Sequence, residues 1–273
     1  VGIFIGFIFP AVLPHSPQMH KGYDLYNAAV PIGLIAFFLR SLLYKIFTSA
    51  PPASENVGLG DSFLALSLAF CGVVFGLAII WGLAMGGGRA YGKLLRDSGY
   101  NVDYGTKYGS GAAILNFGVY GLFIVLYYLL IGAKWNAATL GCVFCMVCCC
   151  FKGSHPANVW PIMVGYVAAS FVAKFVCGLT GAEHTLMANA QAIVIGLCFA
   201  NGLSPVTGVY GWLAGVLFGM IHYTFVTCVP LLHGAFCLYN GGFTAGFTCF
   251  LFIPVLEHFC KTKQQRKELK AGK

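Results

Sequence analysis

The chain has 273 residues, of which 59% are hydrophobic and only 9% charged, and its mean hydropathy is +0.81. A soluble globular domain carries about 25% charged residues, so that class is excluded, and the 36 glycines suit helices packing closely in lipid. The net charge of +8 is no nucleic-acid surface: six of the sixteen basic residues (Lys261, Lys263, Arg266, Lys267, Lys270 and Lys273) follow Phe259 and read as a juxtamembrane tail facing a cytoplasm-like compartment and anionic lipid.

The expected fold is an all-α polytopic membrane protein of seven to nine hydrophobic segments. A transmembrane barrel would need segments of about ten residues alternating apolar and polar, and none is present. The chain opens at Val1 on an apolar stretch to Leu13, without the basic start and small-residue cleavage site of a signal peptide. At roughly 1.5 Å per residue this stretch is too short to cross a bilayer, and Pro10, Pro14 and Pro17 break it. Ala28–Phe47 is apolar and carries Arg40 and Lys45, which snorkel to an interface.

Thr48–Gly60 is a Pro-rich loop without a basic residue. Phe63–Met85 reads as a span ending at Gly86-Gly87-Gly88, a flexible helix end without the Gly-Lys-Ser/Thr of a phosphate loop. Arg89–Tyr108 is the most polar internal stretch, a loop or short interfacial helix. Ser110–Gly132 is the next span, and Ala137–Phe151 is short and rich in cysteine. Helical spacing puts Cys142, Cys145 and Cys148 on one face, but without a His or acidic partner they read as packing residues, and no metal or other cofactor is expected.

Lys152–Pro161 then interrupts the pattern with two prolines, His155 and Asn158, which makes it a candidate second re-entrant turn. Ile162–Leu179 is a span bearing Lys174. Glu183 and His184 follow in a turn, where Glu183 is a candidate for proton or cation coupling. Met187–Ala200 contains Asn189 and Gln191, costly in lipid unless paired or facing a cavity. In Val209–Pro230 the residues Gly208, Gly211, Gly215 and Gly219 are spaced for one helix-packing face.

One stretch occurs twice. His20-Lys-Gly-Tyr-Asp-Leu-Tyr-Asn-Ala-Ala-Val-Pro-Ile-Gly33 aligns without a gap to His233-Gly-Ala-Phe-Cys-Leu-Tyr-Asn-Gly-Gly-Phe-Thr-Ala-Gly246, 213 residues on. His, Leu-Tyr-Asn and the last Gly coincide. The expected organisation is therefore an internal repeat: 1–47 the tail of a first repeat, 48–108 a linker with one span, 109–258 a second repeat, and 259–273 the basic tail. With the tail and Arg89–Lys107 on one side, six crossings separate them and the two copies end on opposite faces, an inverted repeat; Arg40 and Lys45 then lie on the wrong side.

Asn27 and Asn240 each precede small residues and read as N-caps of half-helices whose free N–H groups face a cavity. His20, Tyr26, Asn27, His233, Tyr239 and Asn240, with Asn189 and Gln191, are the expected walls of a solute path. The plainer reading makes these residues caps, interface anchors and a satisfied turn histidine. No Ser-His-Asp, paired-carboxylate or zinc spacing argues for an enzyme.

The runs His155–Tyr166 (HPANVWPIMVGY), Asn189–Gly196 (NAQAIVIG) and HGAFCLYNGGFTAGF resemble an uncharacterised family of duplicated multi-pass membrane proteins, known chiefly as a domain of unknown function. In that family the Leu-Tyr-Asn motif occurs once near the middle of a long chain and once at its end, which implies that the first repeat here is only its tail, to about Phe47. Gly234–Gly246 is also similar to the Gly-x-x-Gly-Tyr/Phe-Asn-Gly segment of urea transporters, an inverted-repeat fold that assembles as a trimer. The chain departs from them in lacking Leu-Pro-Phe and in having Asn-Ala-Gln at 189–191 in place of Asn-Pro-Leu. The resemblance implies a homo-oligomeric channel or facilitated transporter for a small, uncharged polar solute, urea-like at best. A proton- or ion-coupled transporter using Glu183, His20 and His233, and a non-transporting subunit of a membrane complex, are the alternatives.

Overall fold

The computed structural model describes residues 2–47, 63–182, 186–234 and 240–271. Among them every regular element is helical: α1 (Gly2–Val12), α2 (Ser16–His20), α3 (Ala29–Arg40), α4 (Leu64–Ala84), α5 (Gly88–Leu94), α6 (Tyr104–Tyr108), α7 (Ser110–Leu130), α8 (Ala137–Val147), α9 (Pro156–Thr180), α10 (Gln191–Ala200), α11 (Ser204–Tyr210), α12 (Trp212–His233), α13 (Asn240–Phe259) and α14 (Lys263–Ala271). A π-helical run, Ser41–Ile46, extends α3. Short 3₁₀ turns follow α8 (Cys148–Phe151) and join α10 to α11 (Asn201–Leu203).

Among the described residues, seven stretches are long and apolar enough to cross a membrane, and the shorter Ala137–Phe151 lies between two of them. The chain is thus an integral multi-pass membrane protein in a lipid bilayer. Many large apolar side chains face outward, among them Leu66, Trp81, Phe171, Leu179 and Leu231, as a lipid-facing surface requires.

Lipid tails are as apolar as leucine, so helices in a membrane are held by close approach at small residues rather than by hydrophobic burial. Helix α4 lies antiparallel on α7 in this way. Gly82 meets the Leu115 backbone, Gly87 meets Gly111, and Gly118 meets the Phe75 carbonyl. Helices α9 and α12 run parallel, with Gly165 against Val216 and Gly219, and Gly219 against the Ile162 carbonyl. The expected four-glycine face does not form on one helix. Gly211, at φ +116°, separates α11 from α12; Gly208 meets the Ser98 backbone, and Gly215 meets Thr207 and Pro161. A Cβ at Gly211 would be strained, and that freedom lets the chain reverse there.

The polar segments gather at one end of the bundle. His155 Nε2 lies 3.1 Å from the Asp97 carbonyl, the Tyr100 hydroxyl donates to the Lys21 carbonyl at 2.9 Å, Lys21 pairs with Glu257, and Arg266 of α14 donates to the Tyr210 carbonyl. The Lys107 ammonium is 2.7 Å from Asp97, and Lys152 is 2.7 Å from Asp103. Burial pushes the Asp97 carboxyl up, but the hydrogen bonds from Lys107 and Tyr108 outweigh it and hold the group below its usual range. The hydrogen bond from Lys152, with those from Thr106, lowers Asp103 to about 2. Arg40 lies at the opposite end and donates to the Leu232 carbonyl at 3.2 Å. The polar stretch and the basic tail therefore share one end, which makes the shorter Ala137–Phe151 the sixth crossing beside the five long ones between them.

Replacing Gly219 by Val would force a Cβ and two methyls into the Ile162 carbonyl. Overpacking of this kind costs about 1–3 kcal/mol. The variant should melt several degrees below the wild type in detergent, whereas Gly72→Val, where a Cβ meets nothing within 4 Å, should melt with it.

Candidate functional site

The two copies of the repeated stretch adopt the same local geometry. In each, the histidine ends a helix and the next residue is left-handed: Lys21 at φ 51°, ψ 30° and Gly234 at φ 60°, ψ 33°. In each, the histidine Nε2 lies 2.9 Å from the asparagine Oδ1 seven residues on, His20 with Asn27 and His233 with Asn240. The backbone N–H of Asp24 donates to His20 Nδ1 at 3.3 Å, so that nitrogen is bare and Nε2–H is the donor to Asn27. Asn240 Nδ2 donates to the Val226 carbonyl at 3.1 Å. That orients the amide, and His233 Nε2 is again the donor.

The asparagines are not helix caps. The N-cap of α3 is Ala28, with no side-chain bond, and Asn240 lies within the helical residues of α13. A histidine N–H aimed at the side-chain oxygen competes with capping and wins. Each Asn instead staples its helix start to the helix that ends at the histidine.

Both starts lie inside the bundle. Asn240 bonds to Val226, seven residues before the end of α12, so Asn240 lies about 10 Å back from that end at 1.5 Å per residue. Helix α3 begins beside α13 itself: a Cβ on Gly242 would overlap Ala29. From there the two helices run antiparallel. Gly33 receives the Phe243 ring and Gly246 receives the Val30 side chain. Residues 30 and 33 are the counterparts of 243 and 246 in the repeat, so a two-fold rotation exchanges these two contacts.

The first Leu-Tyr-Asn is tied into the bundle residue by residue. Leu25 N–H donates to the Gly202 carbonyl at 3.1 Å. The Tyr26 hydroxyl is 2.8 Å from Asn201 Oδ1, its shortest partner, and Asn27 accepts from His20. Asn201 is fully buried at the 3₁₀ break between α10 and α11. Its Nδ2 donates to the Tyr120 hydroxyl at 3.0 Å and the Met146 carbonyl at 2.8 Å, and its own carbonyl accepts from Ser154 at 3.3 Å. Asn116 Nδ2 binds the Cys150 and Ser154 carbonyls, each at 2.9 Å, at the other 3₁₀ break.

In the first copy, against Gly246 of the second, lies Asp24, which is 2% exposed. Its Oδ1 accepts the Tyr26 N–H at 2.9 Å, and its Oδ2 has no hydrogen-bond partner among the described residues. Burial raises this carboxyl from 3.8 to about 7. Asp24 and His20 border an open cleft of about 580 Å³ whose other wall carries Asn101, Asp103 and Lys152. Nothing marked Asp24 or Asn201 in the sequence beyond a lone acid in the repeat and a polar residue in an apolar run.

The remaining expected residues lie elsewhere. Gln191 Oε1 accepts from Asn136, the N-cap of α8, at 2.7 Å, and so ties two helix starts together. Asn189 is exposed. His155 is the N-cap of α9; Asn158 Oδ1 accepts its N–H at 2.9 Å, and Asn158 Nδ2 donates to the Gly153 carbonyl at 2.7 Å. In place of a re-entrant turn, these two residues start a helix of 25 residues. Burial lowers the His155 imidazole to about 4. Glu183 and Tyr239 lie outside the described residues. The described cysteines are free thiols, and no group of three or more His, Cys, Asp or Glu able to hold a metal occurs among the described residues.

The family model for "Protein of unknown function (DUF1576)" matches residues 1–45 and 88–258, and the chain belongs to that family. Neither a curated protein nor a solved structure matches the chain. Helix α4 falls between the two matched stretches.

Asn201→Leu removes a buried amide, takes the Nδ2 donor from the Tyr120 hydroxyl and leaves Tyr26 with only its longer contacts to the Cys145 and Cys198 carbonyls. At about 1–3 kcal/mol for each buried group left unpaired, the variant should lose most of its folded yield. Asn189→Leu, on an exposed side chain, should stay within about 0.5 kcal/mol of the wild type. Size-exclusion profiles and melting in detergent read both.

Proposed function

We propose that this member of the DUF1576 family is a membrane transport protein, a channel or facilitated transporter for a small polar solute, with its path at the facing starts of α3 and α13. The observation that carries this reading is the exchanged pair of contacts, Gly33 with Phe243 and Gly246 with Val30. Two matching helix starts that meet inside a bundle and leave in opposite directions form the arrangement on which secondary transporters build their sites. Such starts bring free N–H groups and the positive ends of two helix dipoles to one place. Irregular backbone at that depth is tolerated when it is buried or lines a cavity.

In this reading His20–Asn27 and His233–Asn240 hold the two starts in position, and Tyr26 fixes the first to the Asn201 junction. Tyr239 belongs to the second copy by sequence. The basic tail faces the cytoplasm by the excess of Lys and Arg, and the chain works as a homo-oligomer.

One observation supports a coupled mechanism as a second reading beside facilitated passage of a neutral, urea-like solute. A carboxylate with an unpartnered oxygen, as at Asp24, suits a proton or a cation better than an uncharged molecule.

Proteoliposomes containing the purified chain should pass small neutral solutes, with or without a pH gradient, in a light-scattering flux assay. Asn240→Leu should cut the rate at least tenfold with insertion intact, while Asn189→Leu should leave it unchanged. A rate that responds to the gradient selects coupling. No flux of any solute by folded protein overturns the reading in favour of a structural subunit.

A further inference from the structure

We propose that Asp24 is the proton-binding group of this protein, loaded and emptied through the cleft that Asn101, Asp103 and Lys152 border. The inference deepens the transport reading and rests on it for its purpose, but not for its test.

The geometry is that of a carboxyl held without a counter-charge. The side chain is wedged between two glycines from separate elements: a Cβ on Gly202 would stand 2.8 Å from Oδ1, and one on Gly246 would stand 3.2 Å from Oδ2. Either glycine replaced by a larger residue would close the space the carboxyl fills. Only Oδ1 has a donor, the Tyr26 N–H, and Oδ2 is left with its lone pairs unused.

The ionisable groups around it do not compensate. On α2, His20 turns its bare Nδ1 to the Asp24 backbone, and burial lowers the imidazole further, so it is a neutral ring. Lys21 turns away to Glu257. From the 3₁₀ turn after α8 comes Cys149, and from α13 comes Cys249, both buried thiols. Across the cleft, Lys152 is engaged with Asp103 at 2.7 Å. A desolvated carboxylate in such a place is best relieved by a proton. Hydronium in the cleft gives up a proton to Oδ2, an O–H bond forms, and water and a neutral carboxylic acid remain; release reverses the step.

A metal cation fits the site less well. It would need several free oxygens, whereas the Gly202 carbonyl already accepts from Leu25 and the Asn27 carbonyl from Ser16. The second copy of the repeat has Cys237 where the first has Asp24. The proton site is therefore single in a chain whose scaffold is doubled.

Stability against pH gives the sign. The folded-state value of about 7 lies above the ordinary 3.8, so the native state binds this proton more tightly than the unfolded chain does. The stabilisation is complete below pH 3.8, falls as pH rises towards 7, and is gone above it. Full-length protein in nanodiscs should show an infrared band of a protonated carboxyl that titrates with a midpoint near pH 7. Asp24→Asn should abolish the band, and Asp103→Asn should keep it. The wild-type melting temperature should drop by several degrees more between pH 5 and pH 8 than that of Asp24→Asn. If Asp24→Asn does not fold, Asp24→Cys, which carries the residue of the second copy, takes its place.

A band with a midpoint near pH 4 overturns the proposal, as do identical pH profiles for wild type and variant. So does stabilisation of the wild type, and not of Asp24→Asn, by sodium or potassium at pH 8, which would make the occupant a metal cation. A carboxyl that titrates near pH 7 in a protein without flux retains Asp24 and retires transport; flux without such a titration does the reverse.

Discussion

An interrupted helix inside a membrane has to find partners for its freed N–H and C=O groups within the protein, because lipid offers none. In this bundle that constraint converges on Asn201. The chain leaves regular helix at Cys148–Phe151, at Asn201–Leu203 and in the turn after α2, and these three irregular segments lie against one another. Asn201 reaches the Met146 carbonyl just before the first, sits in the second and takes the Tyr26 hydroxyl from the third. The backbone of the third turn is fixed as well, through Leu25 and the Gly202 carbonyl. Irregular segments that would each be costly alone are affordable as a group because they satisfy one another.

The same economy explains why the repeated motif has its particular residues. A histidine at a helix end, a left-handed residue after it and an asparagine at the next helix start close a loop through a single side-chain hydrogen bond. The closure does not depend on which way the helices point, so it serves equally at two sites of opposite orientation. Where α3 and α13 cross, glycine on each admits a bulky side chain from the other. The scaffold is symmetric there and its chemistry is not, since the carboxylate belongs to one copy alone.

How much of this was legible depended on the kind of signal. The helical membrane class followed from composition, because hydropathy over some 20 residues is a strong constraint. The pairing of His20 with Asn27 and of His233 with Asn240 lies behind a visible repeat, yet the residues alone point to capping. Asparagine is a good N-cap on average, and only the structure reveals the histidine that takes its oxygen. The glycines from 208 to 219 looked like one helical face because spacing assumes an unbroken helix; the reversal at Gly211 was invisible to that count. Gln191 looked like a pore residue because a polar group in an apolar run is costly, and its partner, Asn136, is 55 residues away in the chain. Asp24 and Asn201 were in plain view, but burial and an unpaired oxygen are properties of the assembled bundle.

Helix α4 has a consequence beyond its packing on α7. It falls between the stretches matched by the family, and a large part of its surface faces outward, Leu66, Val73, Leu77, Ile80 and Trp81 included. Yet it decides parity. Helix α3 runs away from the polar end and α7 starts from it, so the chain between them has to cross an odd number of times. Among the described residues one helix, docked on glycines at the rim, makes a crossing there and so sets which way α7 points relative to α3. An insertion or deletion of a single span at this point would turn one half of the protein over relative to the other.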